Sequence, residues 1–293
     1  MEQKLTDILA GGHSGLDIVR VFPRRTAATP EDPMAFVGEP PLWRPEAREV
    51  HVSCTFTWDR PLARDLARSW RRFYPVVKLG GPAFDDPGGE FVPGMYLKPG
   101  YVITSRGCPR HCPFCLVPRR EGRLRTLPIR DGWDVLDNNL LACPPGHLQA
   151  VLTMLDRQPR RARFTGGLEA ARITPEIARW LVAVRFDLAY TAYDRAEQRP
   201  DVERAIMILR EAGGWSLRRS QKKLSCYVLC GLPGDTAASI EHRLEWVVSI
   251  GATPFPMFYR NPTTAKDRRI DELKRSLRRW MRPVAIFAKD ATA

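Results

Sequence analysis

The sequence predicts an α/β protein whose main domain is an open, six-stranded βα partial barrel of the TIM type. From about residue 100 onward, short apolar segments alternate with amphipathic helical patterns, which favours a parallel sheet with right-handed crossovers. Six predicted strands are too few to close an eight-stranded barrel. A Pro- and Gly-rich connector at 82–100 separates this domain from a smaller βαβ-like segment that precedes it.

The N-terminal domain, residues 1–99, is predicted to combine an arm with the βαβ-like segment. Residues 1–44 show little periodicity and are punctuated by prolines, so we expect a loose or extended arm. The segment itself consists of a strand, an amphipathic helix and a second strand, predicted at 50–57, 61–73 and 76–79. It is too short to be a complete nucleotide-binding domain.

The core domain, residues 100–262, is predicted to alternate strands with helices. The strands are predicted at 101–105, 133–136, 162–165, 188–191, 224–229 and 254–259. The helices are predicted at 145–156, 175–184, 202–212 and 237–250. Thr174 is placed to cap the second helix ahead of Pro175. Residues 109–131 show no clear helical pattern and carry cysteines instead.

The C-terminal segment, residues 263–293, predicts a basic helix from about 266 to 282. Its apolar stripe consists of Ile270, Leu273, Leu277 and Trp280, and basic residues cover most of the remaining surface. We expect either a solvated helix that closes the side of the barrel or a surface that binds the phosphates of DNA or RNA. Residues 218–223 form a second basic stretch.

The composition favours a folded protein of the cytoplasm. Apolar residues make up 44% of the 293 residues, which is enough for a sizeable core. No apolar run approaches the ~20 residues needed to cross a bilayer, and the first residues lack a signal-peptide pattern. We therefore expect no membrane partner. Seven cysteines without a secretion signal argue against a disulfide framework.

The net charge suggests an anionic partner. The chain carries 46 Lys and Arg against 33 Asp and Glu, a formal net charge of +13. Such an excess raises the local concentration of anions, so a nucleic acid or a phosphorylated substrate is plausible. The alternative is that a GC-rich genome uses arginine freely and the charge is incidental.

Three cysteines follow directly on the first strand of the repeat: Cys108, Cys112 and Cys115. Three thiolates satisfy three irons of a four-iron cluster and leave the fourth iron open, whereas an electron-transfer cluster would need a fourth cysteine. The alternative is a zinc ion with His111 or a distant residue as the fourth ligand. No second Cys/His pair lies at zinc-finger spacing, which favours the cluster.

The segment 105–115, SRGCPRHCPFC, resembles the cluster loop of radical S-adenosylmethionine (SAM) enzymes, including the aromatic Phe114 before the third cysteine. The resemblance covers about residues 100–260. It implies a [4Fe–4S] cluster on Cys108, Cys112 and Cys115, with SAM chelated at the open iron. A flavodoxin or ferredoxin is implied as the electron donor.

The same resemblance implies SAM contacts at three strand ends. The third strand ends in a Gly-Gly-Glu-like segment with Leu168 inserted, the fourth in a ribose-side segment, and the fifth in an adenine-side segment. The residues implied are Gly166, Gly167, Glu169, Tyr193, Asp194 and Gly231. The 137–139 triplet, Asp-Asn-Asn, offers further polar groups to the same mouth.

The family resemblance implies that SAM is cleaved reductively and that the resulting 5′-deoxyadenosyl radical takes a hydrogen atom from the substrate. The substrate is either a nucleic acid or nucleotide, or a small molecule or peptide. A third hypothesis is a nonenzymatic nucleic-acid-binding protein that carries zinc or a cluster.

Residues 48–82 resemble a truncated cobalamin-binding domain. The Asp-x-His-x-x-Gly motif is missing from the sequence, so we expect that cobalamin is not bound and that the segment serves as scaffold. Four further cysteines could hold a second cluster, but Cys226 and Cys230 lie on one face of a strand and are expected to be small core residues.

Overall fold

The computed structural model describes residues 17–86, 89–213, 224–259 and 268–281. The chain is a mixed α/β protein with parallel sheets, and it divides into two compact units between Pro99 and Gly100. The basic stretch at 218–223 lies outside the described residues. None of the described helices is long and apolar enough to span a bilayer.

The first unit contains a four-stranded parallel sheet. Its strands are β1 (Ile18–Phe22), β2 (Ala35–Val37), β3 (Glu49–Ser53) and β4 (Val77–Gly80). Their order across the sheet is β2-β1-β3-β4. Helix α1 (Arg60–Trp70) connects β3 to β4, which confirms the predicted strand–helix–strand segment.

The prediction of a loose or extended arm was wrong for residues 17–44, because β1 and β2 lie there and pair within the sheet. The prolines of this stretch fall in the loops between strands, so they do not interrupt the sheet. Arg20 breaks the apolar run of β1, but its guanidinium is buried and donates to the carbonyl oxygens of Gly94 (3.0 Å) and Met95 (3.1 Å). It also pairs with Asp32.

The second unit contains six parallel strands in chain order and a small antiparallel hairpin. The strands are β5 (Tyr101–Val102), β6 (Ser105–Arg106), β7 (Arg125–Thr126), β8 (Asp134–Val135), β9 (Arg163–Phe164), β10 (Leu188–Ala192), β11 (Leu224–Cys230) and β12 (Thr253–Phe258). The six-stranded sheet runs β5-β8-β9-β10-β11-β12, and β6 pairs with β7 in the hairpin. All six predicted strands are present, several of them shorter than expected. Curvature into a partial barrel stays a prediction.

Helices follow the strands as predicted. They are α2 (Val117–Arg120), α3 (Pro145–Asp156), α4 (Pro175–Ala183), α5 (Arg199–Glu211), α6 (Ala237–Ser249) and α7 (Arg268–Ser276). Thr174 caps α4, since its hydroxyl oxygen accepts a hydrogen bond from the Ile177 amide at 3.2 Å. Residues 109–131, where no helix was predicted, contain the four-residue α2 and strand β7.

The two faces of the six-stranded sheet differ in burial. On one face of β11, Cys226, Val228 and Cys230 are fully buried, which confirms the expected core role of the two cysteines. The residues between them, which point to the other face of the sheet, are more exposed. On this face, Phe255 and Met257 of the neighbouring β12 are 46% and 45% exposed.

The basic helix α7 lies against the carboxyl end of β11. Its predicted apolar stripe is buried, continuing into a short 3-10 turn at Arg278–Met281. The Arg269 guanidinium donates to the carbonyl oxygens of Leu232 and Asp235, both at 2.8 Å. These residues follow β11, so α7 sits at the sheet edge where strands of α/β proteins present ligand-binding loops.

Trp70 is expected to be the main stabilising side chain of the first unit. It is fully buried between Phe36 (ring centroids 5.4 Å apart) and Tyr74 (5.8 Å), and its indole donates to the Gly38 carbonyl. Trp70→Ala should lower the free energy of unfolding by about 3–5 kcal/mol, measured by urea denaturation of the full chain. Trp58→Ala is the control, because Trp58 is 43% exposed. Equal midpoints for the two variants would contradict this account.

Candidate metal and cofactor site

The cysteine loop begins where β6 ends. Gly107 has a φ of +83°, and a Cβ there would collide with the carbonyl oxygen of Arg123, so a glycine is required. Ladder pairing of Ser105 with Thr126 and of Arg106 with Arg125 closes the base of the loop. The loop therefore leaves the hairpin at a fixed point.

The three thiols of the loop lie close enough to influence one another. All seven cysteines of the chain are free, and Cys115 is exposed whereas Cys108 and Cys112 are half-buried. Although part of Cys115 is exposed, the protein around its Sγ desolvates the thiol and raises its pKa, and the nearby Cys112 and Cys108 sulfurs raise it further. The Val117 amide lies 3.5 Å from the Cys115 Sγ. Donors aimed at sulfur favour the thiolate form that binds metals.

The carboxyl end of β8 holds the cysteine loop through consecutive side chains. Asp137 is 1% exposed and accepts three hydrogen bonds of 2.6 Å, from the Thr104 amide, the Thr104 hydroxyl and the Ser105 hydroxyl. Burial raises the pKa of Asp137, and these hydrogen bonds oppose that shift. Asn138 Oδ1 accepts the Gly107 amide at 2.9 Å. The loop is thus tied to its neighbouring strand on both sides of Ser105.

Asn139 contacts the first cysteine directly. Its Nδ2 donates to Cys108 Sγ at 3.4 Å and to Glu169 Oε2 at 2.7 Å. Both partners are acceptors, which fixes the orientation of the amide. The side chain is 4% exposed, and no described residue donates to its buried Oδ1. Sequence reasoning placed this triplet at the mouth but did not predict which group each residue binds.

Glu169 is held beside Cys108 by three donors at 2.7 Å: Arg110 Nη1, Asn139 Nδ2 and Arg172 Nε. Burial would raise the pKa of Glu169, but the hydrogen bonds from Asn139, Arg110 and Arg172 outweigh it and lower the pKa. The insertion of Leu168, which is buried, therefore leaves the carboxylate at the cysteine loop.

The Gly166–Gly167 pair lies where β9 meets the end of β8. A Cβ on Gly166 would collide with the Asp137 carbonyl oxygen, so the two strand ends pack backbone to backbone. Gly167 has a φ of +96° and faces open space. The pair allows β9 to approach the segment that holds the cysteine loop.

Tyr193, Asp194 and Gly231 form a second group, at the ends of β10 and β11. Tyr193 is 5% exposed, its ring packs on Trp246 with centroids 4.7 Å apart, and its backbone amide donates to the Tyr227 carbonyl oxygen at 2.8 Å. Asp194 Oδ1 accepts the Leu229 amide at 3.0 Å. Gly231, with a φ of +90°, packs against Ile270 and donates its amide to Asp235 at 2.8 Å.

Electrostatics link this second group to the cysteine loop. The Asp194 carboxylate raises the pKa of the Cys115 thiol, so both lie at the same sheet edge. Phe114 is half-buried next to Cys115. The structure thus brings the predicted residues to one edge, and it assigns none of them a ligand.

Within the described part of the chain, no three His, Cys, Asp or Glu side chains converge as the ligands of a single metal ion would. A four-iron cluster has a different requirement, since each thiolate binds a separate iron. Three free thiols on one anchored loop, with N–H groups aimed at two of the sulfurs, fit that requirement.

Comparison with curated proteins identifies a partial relative. The chain is 39% identical over 69 residues to the ribosomal protein uS12 methylthiotransferase RimO of Thermus thermophilus. RimO is a radical SAM methylthiotransferase, so the similarity supports a link to the radical SAM superfamily. The match covers 22% of this chain and 15% of RimO. No family model matches the chain.

Asp194 is expected to make folding stability depend on pH. Burial raises its pKa from 3.8 to about 6, although the Leu229 amide and Arg243 act in the opposite direction. A carboxyl group with a raised pKa binds its proton more tightly in the folded protein than in the unfolded chain. The stability gained from this proton is complete below pH 4 and is lost as pH rises through 6.

The Asp194→Asn variant lacks this titrating group. Its free energy of unfolding should therefore decrease less than that of the wild type between about pH 4 and pH 7, by on the order of 2 kcal/mol. Urea denaturation of both proteins across this range measures the difference. Parallel stability curves for the two proteins would show that Asp194 is not the responsible group.

Proposed function

We propose that this protein is a radical SAM enzyme that holds one [4Fe–4S] cluster on Cys108, Cys112 and Cys115. The observation that carries the proposal is the anchored loop with three free thiols at the carboxyl edge of a parallel sheet. The partial similarity to RimO also supports it. The chemistry that the cluster and SAM supply when bound is reductive cleavage of the sulfonium to a 5′-deoxyadenosyl radical, which takes a hydrogen atom from the substrate.

The residues around the loop have assignable tasks in this proposal. Asp137 and Asn138 fix the loop, and Asn139 donates an N–H to the Cys108 sulfur. A buried acceptor without a partner costs about 1–3 kcal/mol. A donor from the bound cofactor would remove that cost at Asn139 Oδ1, and the SAM amino group is the donor that we assign. Arg110 and Arg172 keep the Glu169 carboxylate ionised next to Asn139.

The Gly166–Gly167 pair and the second group complete the proposed cofactor site. Gly166 and Gly167 supply backbone at the amino-acid end of SAM, Asp194 and the Tyr193 backbone lie on the ribose side, and Gly231 lies on the adenine side. Phe114 packs beside the cluster.

The proposal also includes features of the whole protein. These are a six-stranded sheet curved as a partial barrel over 100–262, a cytoplasmic location, and a flavodoxin or ferredoxin as electron donor. The N-terminal unit serves as scaffold without cobalamin.

The substrate that we propose is a nucleic acid. The net charge of +13 and the basic helix α7 support it, since Arg268, Arg275 and Arg278 are exposed and no described residue pairs with them. The similarity to RimO favours a second candidate, transfer of a methylthio group to a protein. A polynucleotide gains affinity from the positive charge, which favours the first candidate.

Anaerobic reconstitution with iron and sulfide tests the metal site. Replacing Cys108, Cys112 or Cys115 by Ala should abolish the visible absorbance of the cluster and the bound iron. Cys230→Ala is the matched control and should retain both, because Cys230 is fully buried in the core. Stoichiometric zinc in the purified protein, without cluster absorbance after reconstitution, would overturn the enzyme hypothesis.

Asn139→Ala should make the reduction potential of the cluster more negative. The N–H donor at the Cys108 sulfur stabilises the more negatively charged, reduced cluster, and the variant lacks it. Asn138→Ala is the control, since Asn138 bonds the Gly107 amide and not a sulfur. Redox titration followed by electron paramagnetic resonance measures the potentials. Equal shifts in both variants would indicate a general loosening of the loop.

A further inference from the structure

The open face of the six-stranded sheet carries an ordered aromatic group beside the candidate cofactor site. Tyr190 and Tyr227 stack with centroids 4.2 Å apart and an interplanar angle of 8°. Phe255 stands at 90° to both rings, at 5.9 and 5.6 Å. We refer to Tyr190, Tyr227 and Phe255 as the aromatic floor.

The floor lies at the level of the predicted SAM contacts. The Tyr227 hydroxyl donates to the Thr165 carbonyl oxygen at 2.9 Å, and Thr165 directly precedes the Gly166–Gly167 pair. In the sheet, Tyr227 is in register with Ala192 and with Phe255. The hydroxyl bond and the ring stack leave Tyr227 little freedom, so it supports Phe255 from the side.

Phe255 is the member of the floor that is available to a ligand. It is 46% exposed, whereas the two tyrosines are half-buried. Met257, two residues farther along β12 and therefore on the same face, is 45% exposed. An exposed aromatic ring held upright by other rings is suited to stack on a flat heterocycle.

A cationic strip lies at the end of the same strand. The Lys274 ammonium is 5.6 Å from the centroid of Phe258, the last residue of β12, so α7 reaches this strand end. Phe258 is three residues from Phe255, a span of about 10 Å along a strand, and its side chain lies on the opposite face, in register with the buried Cys230. The exposed Arg268, Arg275 and Arg278 recur at helical spacing, so they lie on one side of α7 and its continuation.

We propose that Phe255, supported by Tyr190 and Tyr227, stacks on one base of a single-stranded nucleic acid whose phosphates bind Arg268, Arg275 and Arg278. This inference rests on the proposed function, because it names the substrate class of that site. A flat aromatic face on the edge strand, with a row of cations on the helix at the end of that strand, matches the base and the phosphate backbone of a single strand that passes around the sheet edge. An aliphatic small molecule uses neither feature.

The experiment measures binding of a labelled single-stranded RNA of about 12 nucleotides, within the site sizes of such proteins, to the reconstituted full chain without reductant. Phe255→Ala should weaken binding about 5- to 150-fold, the range that corresponds to 1–3 kcal/mol of stacking. Phe255→Trp should preserve it. Phe73→Ala is the matched control, because Phe73 is 47% exposed and lies in the first unit.

A second probe isolates the stacking contribution. An oligonucleotide of the same length with abasic positions should bind the wild type and Phe255→Ala equally. S-adenosylhomocysteine tests whether the floor instead serves the adenine of the cofactor. Its affinity should not change in Phe255→Ala, and a weakening confined to this probe would overturn the proposal.

The binding of phosphates has its own readout. Changing Arg268, Arg275 and Arg278 together to Gln should reduce the salt dependence of RNA binding, by about 0.7 in slope for each phosphate that the protein no longer neutralises. The control changes Arg157, Arg160 and Arg161, which are exposed and precede β9 at the opposite sheet edge. Equal effects of the two triple variants, or no RNA binding by the wild type at low salt, would overturn the proposal. Because the assay requires no SAM cleavage, its failure is distinguishable from failure of the radical chemistry.

Discussion

The candidate site depends on the attachment of the cysteine loop to the end of β8. Asp137, with 1% of its surface exposed, gathers the donors of Thr104 and Ser105, and Asn138 binds the amide of Gly107. Asn139, the next residue, donates a hydrogen bond to the sulfur of Cys108. A buried carboxylate is costly unless its hydrogen bonds are satisfied, so these interactions favour the position in which the loop supplies the donors. The three thiols are thereby carried on an anchored loop, although the loop itself contains no regular structure between β6 and α2.

Much of the second unit could be predicted, because its alternating pattern encodes a parallel sheet. The apolar segments that were predicted to end at Leu136, Thr165 and Leu229 all contain strands, and Thr174 caps a helix as its side-chain chemistry requires. The first unit was harder to predict. Strand β1 contains the charged Arg20, whose burial is offset by its ion pair with Asp32 and by hydrogen bonds to two distant carbonyl groups. Local pattern cannot reveal a partner that lies over 70 residues away.

The site shows the same division. The spacing of Cys108, Cys112 and Cys115 is local, so the sequence predicts the thiol set directly. Side-chain partners between strands are not local: the bond from Asn139 to Glu169 joins residues 30 apart, and that from Arg110 to Glu169 joins residues 59 apart. The insertion of Leu168 made the position of Glu169 uncertain from sequence, and its two arginine partners resolve where the carboxylate lies. The aromatic floor was missed because its rings come from three strands that only the sheet register aligns.

The central claim is that the thiol loop supports a cluster with one iron open to SAM. Its most direct test is the formation of 5′-deoxyadenosine and methionine from SAM by the anaerobically reconstituted protein under strong reductant. The account predicts both products in equal amounts, in a reaction that requires the loaded cluster. A preparation with a full complement of iron and sulfide that leaves SAM uncleaved would contradict it.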